Sequence, residues 1–112
     1  MDFWVEAKDN GDWSVVEVRG EVDVFTAPKL RERIIELVER GRRNVIVDLA
    51  GVTFMDSTGL GILVGCLKRI KEQGGSLALA GPQRPVMRVL TITGLARVFP
   101  IHETVAQATS ST

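Results

Sequence analysis

Val45-Ile46-Val47-Asp48-Leu49 is an apolar run without polar alternation, the pattern of a strand covered on both faces. After Asp56-Ser57-Thr58-Gly59 comes a helically spaced stripe, Leu60, Ile62, Leu63, Val64, Leu67 and Ile70, and beyond Gly74-Gly75 a second apolar run, Leu77-Ala78-Leu79-Ala80. Strand, helix and strand in this order close through a right-handed crossover that makes the two strands parallel. This unit fixes the class as α/β and puts Val45–Leu49 at the centre of the sheet. Lys68, Arg69 and Lys71 fall near the C-terminal end of the helix, where cations suit its dipole.

The flanking segments fill out the same plan. Phe3–Ala7 and Trp13–Val18 read as strands joined by Asp9-Asn10-Gly11-Asp12, in which Asn-Gly favours a tight hairpin, so this pair is antiparallel. Thr26 is placed to cap a helix with Pro28 in its first turn, an apolar stripe of Leu30, Ile34, Leu37 and Val38, and Gly41 at its end. Pro85–Thr93 reads as a short helix stopped by Gly94, Val98–Ile101 as a last strand, and the region around Val105 as a small helix. The expected fold is one domain over residues 1–112, with a core from about 3 to 108 and a frayed tail at 109–112. It is a small mixed β-sheet of four to five strands with helices packed against it. A chain of 112 residues buries roughly two thirds of its unfolded surface.

Composition narrows the function classes. Fourteen basic residues balance fourteen acidic ones, which leaves no global field to hold a nucleic-acid backbone. No apolar run approaches the roughly 20 residues of a membrane-spanning helix. The start, Met1-Asp2-Phe3-Trp4, has none of the pattern of a secretory leader, and the single Cys66 has no internal disulfide partner. A cytoplasmic protein with no membrane or nucleic-acid partner is expected.

The junction Asp56-Ser57-Thr58-Gly59 is the place to look for chemistry. A nucleophile elbow needs glycine two residues before and two after the serine; Gly59 is present, but Met55 holds the earlier position. The one histidine, His102, at the end of the last strand, is the sole base available. Gly59-Leu60-Gly61 starts like a dinucleotide fingerprint, yet Val64 stands where the third glycine belongs, and no P-loop lysine follows. Gly61 and Gly65 are better read as a flat helical face for close packing. Cys66 reads as a small buried hydrophobe, Trp4 and Trp13 as hairpin packing, and Asp48 lacks a second group for acid-base work. No catalytic residue, metal site or cofactor is expected. Two uses of Ser57 stay open on these grounds: capping the helix and accepting a phosphate.

The segment from Val45 to Leu63, containing Asp56-Ser57-Thr58-Gly59-Leu60-Gly61, resembles the signature of STAS domains, specifically bacterial anti-sigma factor antagonists. Gly20-Glu21-Val22-Asp23 before Thr26-Ala27, the Gly74-Gly75 turn, and Thr93-Gly94-Leu95 before Val98-Phe99 agree in order and spacing. The likeness runs from about Val15 to Ala108. It implies a partner-switching protein that is not an enzyme. Its unmodified form would bind an anti-sigma factor that is also a serine kinase, freeing the sigma factor. The kinase would phosphorylate the serine matching Ser57, and a PP2C-type phosphatase would restore it. Asp23 matches the acidic loop residue beside the acceptor, and Asp56 the residue before it. The implied docking surface comprises Asp23, Asp56, Ser57 and the exposed helix start, Thr58, Gly59 and Leu60. The alternative is a STAS accessory subunit of a transporter or of a larger signalling assembly. A monomer or weak dimer is expected, and nucleotide binding by the domain is left open.

Overall fold

The computed structural model describes residues 3–110. A two-residue turn, Gly11-Asp12, joins β1 (Trp4–Asn10) to β2 (Trp13–Val22) in an antiparallel hairpin in which Asn10 faces Trp13. Asn10 thus belongs to the strand and not, as its Asn-Gly dipeptide suggests, to the turn. Within the turn only Gly11 takes a positive φ, 63°, which costs glycine little. The chain continues through α1 (Ala27–Glu39), β3 (Asn44–Met55), α2 (Ser57–Glu72), β4 (Ser76–Ala80) and α3 (Arg84–Ile92). A 3₁₀ turn at Leu95–Arg97, β5 (Ile101–His102) and α4 (Val105–Ser110) complete it.

The sheet is five-stranded and mixed, in the order β1-β2-β3-β4-β5, with β2 to β5 mutually parallel. Val16, Val18, Val45, Val47, Leu77 and Leu79 meet Leu30, Ile34 and Leu37 of α1, Leu63, Leu67 and Ile70 of α2, and Val86 and Leu90 of α3 in the main core. On the opposite face a smaller cluster joins Ile46, Ala78 and Ala80 to Ala108 of α4, with Trp13, Val15 and Val105 packed against it. β3 is therefore covered on both faces, as its lack of alternation requires.

Two strands depart from the expected lengths. β2 and β3 run on to Val22 and Met55 because their pairing continues through two register shifts, between Glu17 and Arg19 and between Gly20 and Glu21. Such irregularities break the period-two pattern by which a strand is recognised in sequence. Conversely, the expected strand Val98–Ile101 shrinks to Ile101–His102. Val98 and Phe99 both donate to Leu95 O, Phe99 turns into the core, and Pro100 has no N–H for a ladder. At the C-terminal end, Ala108 is buried and α4 runs to Ser110; of the expected tail 109–112, residues 111–112 lie outside the described part.

Candidate functional site

β2 and β3 end side by side. Val22 pairs with Met55, and Asp56 N–H donates to Val22 O at 3.1 Å. This places the loop after β2 against the start of α2 and brings Asp23 and Asp56-Ser57, 33 positions apart in sequence, to the same end of the sheet.

The helix start is offset by one residue from the sequence expectation. Asp56, not Ser57, is the N-cap: its Oδ1 accepts from Thr58 N–H at 2.9 Å and from Gly59 N–H at 3.1 Å. Asp and Ser cap about equally well, but the carboxylate stands one position earlier and takes the free N–H groups first. Ser57 becomes the first helical residue and Thr58 the second. Ser57 is exposed, Asp56 and Thr58 half-buried, and no hydrogen bond of the Ser57 hydroxyl is found among the described residues.

The same offset moves Gly59 and Leu60 off the surface. Leu60 is only 5% exposed and lies in the main core. Gly59 is buried so tightly that a Cβ there would come within 2.8 Å of Met55 Cγ and of Val22 Cγ1. The close approach expected of Gly61 and Gly65 is made by Gly59 instead. Gly61 and Gly65 face solvent, and no other element comes within 4 Å of where a Cβ would stand on either.

The loop after β2 is built around Asp23. Its Oδ1 accepts from Phe25 N–H at 2.9 Å and Thr26 N–H at 3.0 Å. Thr26 Oγ1 accepts from Asp23 N–H at 2.9 Å and donates to Glu21 O at 2.7 Å. Thr26 thus occupies the N-cap position of α1 without capping it through its side chain. Desolvation pushes the Asp23 carboxyl up, but the hydrogen bonds from Thr26 and Phe25 outweigh it and hold the group below the usual carboxylate range.

This closed loop turns two apolar side chains outward. Phe25 is 83% exposed and Val24 56%, and Phe54, paired with Glu21 across the strands, is 47% exposed. Sequence reasoning missed all three. The available signal was Val24-Phe25 between two polar loop residues, outside the periodic face of either neighbouring element. Four cavities, of about 580, 450, 280 and 250 Å³, are lined by other residues. The Asp23–Ser57 surface carries the exposed apolar side chains Val24, Phe25 and Phe54, the kind of patch that suits contact with another protein.

The remaining candidates stay apart from it. His102 is half-buried at the end of β5, and Asp48 accepts from Ala50 N–H at 3.0 Å. Cys66 is buried on α2, and burial pushes its thiol up. Among the described residues no group of three or more His, Cys, Asp or Glu side chains converges as a metal site would need, and no helix is long and apolar enough to cross a membrane.

Comparison with known proteins gives a consistent result. The family model described as the STAS domain matches residues 5–108. The anti-sigma-B factor antagonist of Bacillus subtilis is 42% identical over 101 residues, spanning 90% of this chain and 92% of its own. The protein of the same name from Staphylococcus epidermidis is 37% identical over 103 residues, spanning 92% and 95%. The crystal structure of an anti-sigma factor antagonist from Mycobacterium paratuberculosis superposes with a TM-score of 0.90 at 28% identity, over 98% of this chain and 93% of that one.

Proposed function

The chain belongs to the STAS-domain family, and from that membership we propose that it is an anti-sigma factor antagonist switched by phosphorylation of Ser57. Unmodified, it binds an anti-sigma factor that is also a serine kinase and so releases the sigma factor. The kinase then phosphorylates Ser57, and a PP2C-type phosphatase removes the phosphate. The chain is substrate and ligand in this cycle, which runs in the cytoplasm; the nucleotide belongs to the kinase.

The observation that carries the reading is the division of labour at the start of α2. Asp56 performs the capping, so the exposed Ser57 hydroxyl has no structural duty and is free for transfer. Asp23, Asp56, Ser57 and Thr58 form the polar part of the docking surface, Phe25 and Phe54 its apolar part, and Gly59 and Leu60 support it from beneath.

The same arrangement explains how one phosphate acts. It adds roughly −1.5 to −2 charges at pH 7. The helix dipole favours an anion there by about 0.3–1 kcal/mol, but Asp56 already holds the N–H groups of Thr58 and Gly59 and repels it. With these terms comparable, the fold survives modification. At the partner surface a desolvated, unpaired phosphate costs several kcal/mol, and the complex dissociates.

Phosphopeptide mapping after incubation with the kinase and ATP tests this directly. Phosphate is expected on Ser57, and a Ser57→Ala variant should remain unlabelled and bound to the kinase. Phosphate on Thr58 alone, or undiminished labelling of Ser57→Ala, would refute the assignment.

A further inference from the structure

β1 is an edge strand of seven residues, Trp4–Asn10, paired on one side only. The other edge, β5, has two residues. An unpaired edge invites another strand unless something blocks it, such as proline, a bulge or an inward charge. β1 contains no proline and pairs with β2 without a register shift from Trp4 to Asn10.

The backbone pattern tells which residues are available. The two-residue turn makes Asn10 and Trp13 a mutually hydrogen-bonded pair, and such pairs recur at every second residue. Lys8, Glu6 and Trp4 therefore direct their backbone groups toward β2, while Asp9, Ala7 and Val5 direct theirs outward. A second β1 strand running antiparallel can use those outward groups in a register centred on Ala7. Ala7 then faces Ala7 of the other copy, and Val5 faces Asp9.

That register also settles the charges. Glu6 falls opposite Lys8 of the other copy, and Lys8 opposite Glu6, both at non-hydrogen-bonded positions where facing side chains lie closest. A lone lysine on an edge repels its own symmetry mate and acts as a guard. Here a glutamate two residues away converts the guard into two ion pairs across the dyad. Alongside, Arg40 reaches Asp9 at 3.7 Å, which ties the C-terminal end of α1 to β1.

We propose that two copies of this chain associate through antiparallel β1–β1 pairing centred on Ala7, joining their sheets into one of ten strands. The interface is isologous, as a two-fold dimer requires. It lies on the flank of the sheet, separated from β3 by β2, and leaves Ser57 of both copies open. The inference is independent of the role assigned to Ser57.

Sedimentation velocity over a concentration series tests it. The natural chain should show a reversible monomer–dimer equilibrium. Glu6→Lys alone or Lys8→Glu alone sets like charges opposite each other on both sides of the dyad and should weaken the dimer by roughly tenfold or more. Both side chains are exposed, so the fold is retained, which circular dichroism checks. Mixing the two single variants in equal amounts should restore dimers, now as heterodimers, and so should the double swap Glu6→Lys with Lys8→Glu. A chain monomeric at every concentration overturns the proposal, and so does a dimer indifferent to the single changes or not rescued by the mixture.

Discussion

α1 and α2 begin in equivalent places, just past the C-terminal ends of the adjacent parallel strands β2 and β3, and each start holds an aspartate followed by a hydroxyl residue, Thr26 at α1 and Ser57, with Thr58 behind it, at α2. At α1 both are used up internally: Asp23 holds Phe25 and Thr26 N–H, and the Thr26 hydroxyl ties Asp23 N–H to Glu21 O. At α2 the aspartate does the capping alone, and the Ser57 hydroxyl is left over. Two sites alike in composition thus divide into a structural one and a chemically available one. What separates them is spacing: Thr26 stands three residues after Asp23, where its hydroxyl folds back onto Asp23 N–H and Glu21 O, whereas Ser57 follows Asp56 directly and the carboxylate alone takes the free N–H groups of the helix.

The sharpest way to break this contrast is to charge the available hydroxyl. Ser57→Asp is expected to reduce affinity for the kinase about a thousandfold, equivalent to roughly 4 kcal/mol. Its folding free energy should shift by less than ~0.5 kcal/mol, as for most surface changes. Calorimetric titration and urea unfolding measure the two. A loss of stability matching the loss of binding would mean that Ser57 is structural after all, like Thr26.

The complementary changes are smaller and fall on folding. Thr26→Val removes an acceptor for Asp23 N–H and a donor to Glu21 O in a part-buried loop, so it should cost about 1–3 kcal/mol. Asp56→Ala removes the cap of α2 and should cost about 0.5–2 kcal/mol. Urea unfolding should rank both well above Ser57→Ala. If Ser57→Ala proved as costly as Asp56→Ala, the cap would be shared and the hydroxyl would not be free.

These contrasts also mark how far the sequence could be read. Val45-Ile46-Val47, the stripe after Ser57 and Leu77–Ala80 announce a parallel unit because apolar spacing reports burial directly, and the hairpin and crossover take the sheet positions that spacing assigns. The identity of the cap is a different matter. Asp56 and Ser57 are both good caps and are adjacent, so no periodicity distinguishes them; only the backbone geometry at φ −99°, ψ −174° does. That one-residue offset sends Gly59 and Leu60 inward and leaves Gly61 and Gly65 on the solvent face. Phe25 escaped notice for the opposite reason. Its exposure is imposed by the short-range hydrogen bonds that close the loop around Asp23, a constraint that the apolar periodicity of helices and strands does not report.

The weakest expected effect concerns Asp23 itself and tests whether its loop is held by charge. The carboxyl is held below its ordinary range by hydrogen bonds from Thr26 and Phe25, against the upward push of desolvation. A carboxylate with a lowered folded pKa contributes stability that is fully present above its unfolded value and fades as pH falls through the folded one. At neutral pH the loop is therefore fully held, and it should loosen only in acid, below the range in which ordinary aspartates protonate. Carboxyl and amide NMR shifts can follow this: Phe25 and Thr26 N–H should titrate together with Asp23 at that depressed value. Asp23→Asn should abolish the step while keeping one acceptor in place. If the two amides titrated at an ordinary aspartate pKa, the charged form would not be what they bind. The equivalence of the two helix starts would then end one step earlier, at the use each makes of its aspartate.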